Sequence, residues 1–291
     1  MQANNVRPFF RLCYGMLTLK GDEGMGRRLL LGSLAVLFVC GGAVILRQTH
    51  QIQVAQQLNE QAQELAVSPA VIPVQERETK PVPEPEEQSE TICTLMDMNL
   101  DALRQTNDRV LGWIHIPDSP VDYPLLAVRD NNEYLRRAWD GTPNRAGCIF
   151  LECKNNRDFS DFNTLIYGHY MHNATMFGSL HSYREQQYRD THPVIYVATD
   201  EGVRGYEVFA AYEADVISDT YRLLFTDDVK KQTALENYLA NSVIESERIP
   251  TVKDHILTLS TCVGDGTYDT RWVVQGVLIE EYFETKKELR F

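Results

Sequence analysis

The sequence has little positive charge beyond its first fifty residues. The whole chain of 291 residues carries 28 Lys and Arg against 41 Asp and Glu, a formal net charge of −13. Six of those basic side chains, and only two of the acidic ones, fall within residues 1–50. A protein that binds nucleic acid needs a basic surface to neutralise phosphates, so the acidic remainder of the chain excludes nucleic acid as a partner.

Cysteine is also scarce, and its spacing shows no paired pattern. The six cysteines are Cys13, Cys40, Cys93, Cys148, Cys153 and Cys262. Cys148 and Cys153 share a predicted strand, and an extended backbone puts them on opposite faces, too far apart to bridge. The chain is therefore not a disulfide scaffold. His169 and His172 are spaced i, i+3, but no cysteine pair accompanies them, so we predict no metal site.

The sequence has a single long hydrophobic run, residues 29–46. These eighteen residues carry no charge and are bounded by Arg28 and Arg47. As a helix they would span about 27 Å, enough for the hydrocarbon core of a membrane. The excess of basic residues before the run predicts a cytoplasmic segment at 1–28, a transmembrane anchor at 29–46 and an extracytoplasmic remainder.

A cleavable signal peptide is the competing interpretation of this run. Gly41, Gly42 and Ala43 resemble the small residues of a cleavage site. The apolar run continues past them through Leu46, which favours an uncleaved anchor.

Residues 47–91 are predicted to form a juxtamembrane helix followed by a spacer. Apolar residues of the first part fall on one helical stripe: Ile52, Ala55, Leu58, Ala62 and Leu65. Residues 68–90 are rich in proline and glutamate, cannot bury apolar surface and are expected to be an extended spacer. Residues 92–291 are the predicted folded domain.

The folded domain is predicted to be mainly β with added helices. Predicted strands cover 112–116, 148–151, 163–167, 194–198, 206–212, 256–261 and 272–279. A short helix is predicted at 95–105. An insertion at 218–250 contains a helix expected at 226–247, because Thr226 and two following aspartates favour a helix start. Its apolar face is predicted to be Val229, Leu235, Tyr238, Leu239 and Val243.

Residues 258–262 form a short alternating run that ends on Cys262. Arg271 opens a second run nine residues later, and Gly264, Asp265 and Gly266 between them are turn formers. The pattern predicts two antiparallel strands with Cys262 opposite Arg271. A thiol beside a fixed cation favours thiolate, the nucleophilic form of cysteine. The alternative is a buried core cysteine at a strand end.

A second candidate group is His169. The predicted strand at 163–167 runs into Gly168, whose lack of a side chain suits a sharp exit from the sheet. His169 would then lie at the sheet rim, where an imidazole can serve as acid or base near neutral pH. The alternative is a solvated or hydrogen-bonded histidine without a chemical role.

Tyr167-Gly168-His169, followed much later by residues 258–262 and Arg271, resembles the sortases, the cysteine transpeptidases of Gram-positive cell surfaces. Further motifs resemble the class B branch, at 110–117, 121–124, 130–135, 146–150 and 158–163. The resemblance covers roughly residues 95–283. It implies a closed β-barrel with an N-terminal helix and a long helix in the insertion between the sixth and seventh strands.

The resemblance also implies roles for three residues. Cys262 would attack the carbonyl of a threonine in a C-terminal sorting signal and form a thioester. His169 would protonate the leaving amine and later deprotonate the incoming nucleophile. Arg271 would hold the substrate backbone and the developing oxyanion. The expected acceptor is an amine of a peptidoglycan precursor of the lipid II type, and no cofactor is implied.

Substrate-binding positions are carried over from the same resemblance. They are Asn131, Leu135, Tyr167, Ser260 and Tyr221. The expected clients are surface proteins with a C-terminal sorting signal, which in class B often follows Asn-Pro-x-Thr-x.

Three alternatives to an anchoring transpeptidase stay open. A cysteine hydrolase would use water as the acceptor, although papain-like signatures are absent and His169 precedes Cys262. A catalytically idle, membrane-tethered binding domain would not need the three intact residues. A pilus polymerase of class C usually has an Asp-Pro-aromatic lid and a C-terminal membrane segment, which this sequence lacks, but some class B-like enzymes build pili.

Overall fold

The computed structural model describes residues 23–67, 85–262 and 269–283. The chain divides into two compact units, Met1–His50 and Gln51–Phe291. Helix α1 (Glu23–Ala66) contributes residues to both units. Within the described ranges, one stretch of helix, Leu31–Ala66, is long and apolar enough to cross a membrane by length and composition.

The described residues of the second unit form eight strands and further helices. The strands are β1 (Val110–His115), β2 (Asp122–Ala127), β3 (Ile149–Leu151), β4 (Asn163–Tyr167), β5 (Val194–Thr199), β6 (Gly202–Asp215), β7 (Ile256–Cys262) and β8 (Thr270–Phe283). The helices are α2 (Pro85–Met96), α3 (Leu100–Thr106), α4 (Gln186–Thr191) and α5 (Asp228–Asn241), with 3₁₀ turns at Gly178–Arg184 and Asp219–Tyr221.

The strands close into a barrel in the order β1-β2-β3-β4-β7-β8-β6-β5. Closure comes from β1, which pairs antiparallel with both β2 and β5. The pairs β2–β3 and β4–β7 are parallel, so chain segments must cross between them. The predicted closed barrel with added helices, including a helix between the sixth and seventh strands, is confirmed.

Alternation along each strand builds the core inside the barrel. Leu257 and Leu259 of β7 are fully buried in this interior cluster, as predicted from their spacing. Thr258, between them, faces the other side and donates to Asn163 Oδ1 at 2.7 Å. Two further apolar clusters cover the outside of the barrel, one beneath α1–α3 and one beneath α5.

The seven predicted strands correspond to seven observed ones, but β2 is missing from them. Pro124 lies in the middle of β2 and has no backbone N–H to donate, which weakens a strand assignment made from sequence. In the barrel Pro124 is paired with Trp113 of β1, and the strand is buried from Tyr123 to its end.

The predicted helix at 95–105 is split in two. Asn99 breaks it, because its side chain caps α3 by accepting from Ala102 N at 3.0 Å. The Asn99 backbone N–H donates to Ala66 O of α1 at 2.8 Å. The predicted extended spacer is helical from Pro85 onward, and its remainder, residues 68–84, lies outside the described residues.

Helix α5 is shorter than the predicted 226–247. Asp227, not Thr226, caps its start by accepting from Lys230 N at 2.9 Å. The chain leaves the helix at Ser242, whose hydroxyl donates to Ile244 O at 2.8 Å and accepts from Ala211 N at 3.2 Å. The helix therefore ends at Asn241.

The predicted apolar face of α5 is only partly correct. Leu235 and Tyr238 are buried, and Leu239 packs partly against the same cluster. Val229 and Val243, also predicted on this face, are 75% and 57% exposed, so the expectation that Val243 packs on the barrel with Leu235 and Leu239 is wrong.

The C-terminal part of α1 packs against the barrel. Ala62 and Ala66 are fully buried, and Gln63 Nε2 donates to Asp122 Oδ2 at 2.7 Å. Leu65, predicted on the same stripe, is 42% exposed.

Burial and hydrogen bonding have opposite effects on the pKa of Asp122. Burial alone would raise this pKa, but hydrogen bonds, chiefly with His115 and Trp113, outweigh burial and lower it.

Candidate active site

Cys262 and Arg271 lie opposite each other at one end of the barrel. Cys262 is the last residue of β7, and the antiparallel register with β8 pairs it directly with Arg271. Both side chains are half-buried. The predicted opposition of thiol and guanidinium is therefore present, while the turn predicted at 264–266 lies outside the described residues.

Arg271 is anchored from its own strand. Its Nη1 donates to Thr270 O at 2.8 Å. Trp272, the next residue, is buried and donates from Nε1 to Leu180 O at 2.8 Å. These bonds fix the start of β8 beside the nucleophile candidate.

His169 is brought to the same end by the β4–β7 pairing. Beyond the last paired residues, Gly168 N donates to Ser260 O at 3.1 Å. A Cβ on Gly168 would meet Ile149 Cδ1 at 2.5 Å and Phe177 at 2.6 Å. Glycine is needed here because the neighbouring side chains leave no room, and not because of a positive φ.

A second glycine, Gly147, leaves room for the imidazole ring of His169. Gly147 has φ +64, and a Cβ there would lie 2.7 Å from His169 Cδ2. His169 Nε2 lies 2.6 Å from Leu135 O. A carbonyl can only accept, so Nε2 carries a hydrogen. In the part of the chain that the structure describes, no hydrogen bond joins His169 to Cys262.

Three of the predicted binding residues form one contact chain beside Cys262. Tyr167 of β4 is paired with Ser260 of β7, and the Ser260 hydroxyl lies 2.8 Å from the Tyr221 hydroxyl. Burial raises the pKa of Tyr221 to about 12, against the opposing effects of the Ser260 hydrogen bond and the positive charge of Arg271. Tyr221 is therefore neutral near pH 7.

Buried hydrogen bonds hold the 3₁₀ turn that contains Tyr221. Asn163 Nδ2 donates to Thr220 O at 2.9 Å, and the Thr220 hydroxyl lies 2.9 Å from that of Tyr212. Thr220 itself is 3% exposed. Because these groups are buried and mutually satisfied, they locate the 3₁₀ turn firmly over β7.

The other two predicted binding residues, Asn131 and Leu135, come from the loop before β3. Leu135 is half-buried and contributes its carbonyl to His169. Asn131 Nδ2 donates to Glu152 Oε2 at 2.6 Å, and the Tyr167 hydroxyl donates to the same oxygen at 3.0 Å. Asn131 is therefore connected to Tyr167 through Glu152, a residue that the sequence analysis did not select.

His181 is a second residue that the sequence analysis missed. Its Nε2 lies 3.0 Å from Cys262 O, and its ring packs against Tyr170 and Trp272 with centroids 4.5 and 5.7 Å away. Burial lowers the pKa of His181. No strand-Gly-His pattern precedes it, and only its place among aromatic residues could have marked it.

A cavity of about 660 Å³ lies elsewhere, between α1, α2 and the barrel. Trp113, His115 and Asp122 line it, and none of the eight predicted site residues does. Within the described ranges, no group of three or more His, Cys, Asp or Glu is arranged to hold a metal ion.

Comparison with known proteins places this arrangement in a family. Residues 114–279 match the family model described as the Sortase domain. The chain is 36% identical over 184 residues to sortase B of Listeria monocytogenes, covering 61% of this chain and 72% of that protein. It is 32% identical over 174 residues to sortase B of Staphylococcus aureus, covering 60% and 71%.

Solved structures agree in fold. The Staphylococcus aureus sortase B–substrate complex matches with a TM-score of 0.59 and 31% identity, covering 62% of this chain and 84% of that chain. Sortase B of Bacillus anthracis in complex with AAEK1 matches with a TM-score of 0.64 and 26% identity, covering 80% and 99%. With a family match over more than half of its length and relatives of this identity, the chain belongs to the sortase family of cysteine transpeptidases, in class B.

Proposed function

We propose that this sortase cleaves a C-terminal sorting signal after threonine and transfers the new carboxyl end to an amine of a peptidoglycan precursor. The observation that carries the proposal is the direct pairing of Cys262 with Arg271 in the β7–β8 register. A guanidinium opposite the thiol can stabilise the oxyanion that develops when the thiol attacks a carbonyl.

In the first step, Cys262 Sγ attacks the threonine carbonyl carbon. The C–N bond breaks, a thioester forms, and His169 gives a proton to the leaving amine. In the second step the acceptor amine attacks the thioester, His169 takes up its proton, and the thiolate of Cys262 leaves. Arg271 donates to the carbonyl oxygen in both steps, where negative charge develops.

The groove for the signal is proposed to run along Asn131, Leu135, Tyr167, Ser260 and Tyr221. Its support is the continuous contact chain through Glu152, Tyr167 and Ser260 described above. The residues come from four different segments of the chain.

The chain is proposed to be a single-pass membrane protein with its N-terminus inside. The support is the apolar run at 29–46, its basic N-terminal flank and the helix Leu31–Ala66. Mass spectrometry of the membrane-extracted protein should find the N-terminus intact. A mature N-terminus just after Ala43 would replace the anchor with a cleaved signal peptide.

Release of a quenched fluorogenic peptide of the Asn-Pro-x-Thr-x pattern tests the chemistry. We expect Cys262→Ala to abolish release, while Cys148→Ala, which is buried, and Cys93→Ala, which is exposed on α2, retain it. A thioester mapped to Cys148 or Cys93 would overturn the assignment. If the peptide is cleaved but none of a panel of small amines captures the acyl group, the hydrolase alternative replaces transpeptidation.

A further inference from the structure

Glu152 is a buried acid in the candidate groove with no basic partner. It directly follows β3 and is 6% exposed. Within the described ranges, no Lys or Arg lies in salt-bridge distance of its carboxylate. A buried charge is costly unless other groups compensate it, so its hydrogen bonds must do so.

Four neutral donors surround the two carboxylate oxygens. Oε2 accepts from Asn131 Nδ2 at 2.6 Å and from the Tyr167 hydroxyl at 3.0 Å. Oε1 accepts from Lys154 N at 3.2 Å and from Cys153 Sγ at 3.4 Å. Two of these donors belong to residues already placed in the proposed groove, which come from segments on either side of β3.

The carboxylate of Glu152 determines which hydrogen-bonding atoms Asn131 and Tyr167 offer to other partners. An ionised carboxylate only accepts, so the single hydroxyl proton of Tyr167 points at Glu152 and its oxygen is left as an acceptor. Asn131 must turn its NH₂ group to Glu152, and its Oδ1 is held from the other side by Cys153 N at 3.0 Å. One N–H of Asn131 is left over as a donor.

We propose that Glu152 is a positioning residue that sets the hydrogen-bonding polarity of the groove, so that Asn131 offers an N–H and Tyr167 an oxygen to one amide group of the bound peptide. An amide carries both a C=O and an N–H, which matches that pair. The proposal rests on the proposed function, since it assumes that the groove binds a sorting signal.

The environment of Tyr167 agrees with this role. Burial raises the pKa of Tyr167, and the charge and hydrogen bond of Glu152 raise it further. The hydroxyl therefore keeps its proton near neutral pH and acts as a fixed donor to Glu152, not as a base.

The test uses the full chain and separates KM from kcat. Asn131 and Tyr167 donate to the same oxygen of Glu152, so a glutamine could keep both bonds by placing its amide oxygen there. Glu152→Met keeps a similar side-chain length but has no oxygen, so both Asn131 and Tyr167 lose this acceptor. We expect KM for the Asn-Pro-x-Thr-x peptide to rise about tenfold or more, as for a lost hydrogen bond to a charged group, with kcat changed less than about threefold. Glu236→Met, on the exposed side of α5, is the matched control and should match the wild type.

Tyr167→Phe removes the same contact from the other side and keeps the ring. We expect it to raise KM, and the double variant to be no worse than Glu152→Met alone, because that variant already removes the Glu152–Tyr167 contact. Tyr167→Phe decides the matter if Glu152→Met fails to fold. Tyr167→Phe with wild-type KM would then overturn the proposal.

Two kinds of modified peptide identify the amide group that Asn131 and Tyr167 bind. The first replaces the signal asparagine with leucine, and the second replaces a single backbone amide with an ester. The peptide that lacks the recognised amide should have a higher KM with the wild type, but no further increase with Glu152→Met. If no modification shows this coupling, or if Glu152→Met lowers melting temperature or kcat while KM is unchanged, Glu152 has only a structural role and the proposal is wrong.

Failure of the proposed function would look different. In that case the wild-type protein would not cleave the peptide at all, or would cleave it equally well after Cys262→Ala. Alkylation of Cys262 by iodoacetamide gives an independent reference, and its rate should be the same in the wild type and Glu152→Met. A changed alkylation rate would show that Glu152 acts on the nucleophile and would contradict a role confined to the groove.

Discussion

Cys262 and Arg271 are direct partners across the β7–β8 pair, although nine positions separate them in the sequence. Their opposition is a consequence of strand register, because a slip of one residue would turn one of the two side chains to the other face of the sheet. The interior packing of Leu257 and Leu259 prevents such a slip. Core packing thus holds the proposed nucleophile and its cation together.

Arg271→Lys should lower kcat/KM by at least about tenfold. Lysine keeps the positive charge but loses the planar fork that holds two acceptors at once. Arg248→Lys, at an exposed position, is the control and should leave kcat/KM unchanged. Peptide-release kinetics measure both, and full activity in Arg271→Lys would exclude bidentate recognition.

The packing of α5 predicts different losses of stability when two of its apolar residues are shortened to alanine. Leu235→Ala should lower the free energy of unfolding by about 2–5 kcal/mol, since Leu235 is buried against the barrel. Val229→Ala should change it by no more than about 0.5 kcal/mol, because Val229 is 75% exposed. Urea unfolding of both variants measures the difference, and equal losses would contradict the observed face of the helix.

The contact of α1 with the barrel can be tested with a charge. Ala62→Glu should destabilise the protein by at least about 2 kcal/mol, because Ala62 is fully buried and the new carboxylate has no partner. Gln61→Glu adds the same charge at the neighbouring exposed position and should have little effect. Thermal unfolding in detergent compares them. Equal melting temperatures would mean that this part of α1 is not packed in solution.

His181 predicts a pH dependence of stability. Burial lowers its pKa below the ordinary 6.5, so the unfolded chain takes up a proton more readily than the folded one. Its contribution to stability is therefore complete above pH 6.5 and is lost as the pH falls below that value. Arg184 and Glu213, the charged groups that act on this pKa, have opposite effects on it.

The measurement is the melting temperature between pH 7.5 and pH 5.5. His181→Gln keeps a donor for Cys262 O but does not titrate, so its melting temperature should fall less over this range than that of the wild type. An identical fall in both proteins would assign the pH dependence to other groups.

Local patterns were enough to predict most of the barrel and to select the three proposed catalytic residues. Seven strands follow from alternation, and the Cys262–Arg271 pairing follows from a turn between two short runs. These features depend on contacts between chain neighbours, which periodicity and turn residues encode directly. The error at Val243 has a non-local cause, since one of the Ser242 hydroxyl bonds at the end of α5 involves β6, about thirty residues away in the sequence.

What the sequence determined by itself was most of the strands, the order of His169, Cys262 and Arg271, and the apolar segment near the N-terminus. Only the tertiary structure decided that Glu152 joins Asn131 to Tyr167 and that His181 lies on Cys262 O, 81 residues away. Such contacts arise when barrel closure brings distant segments together. They depend on the position of each side chain in three dimensions, which no spacing along the chain expresses.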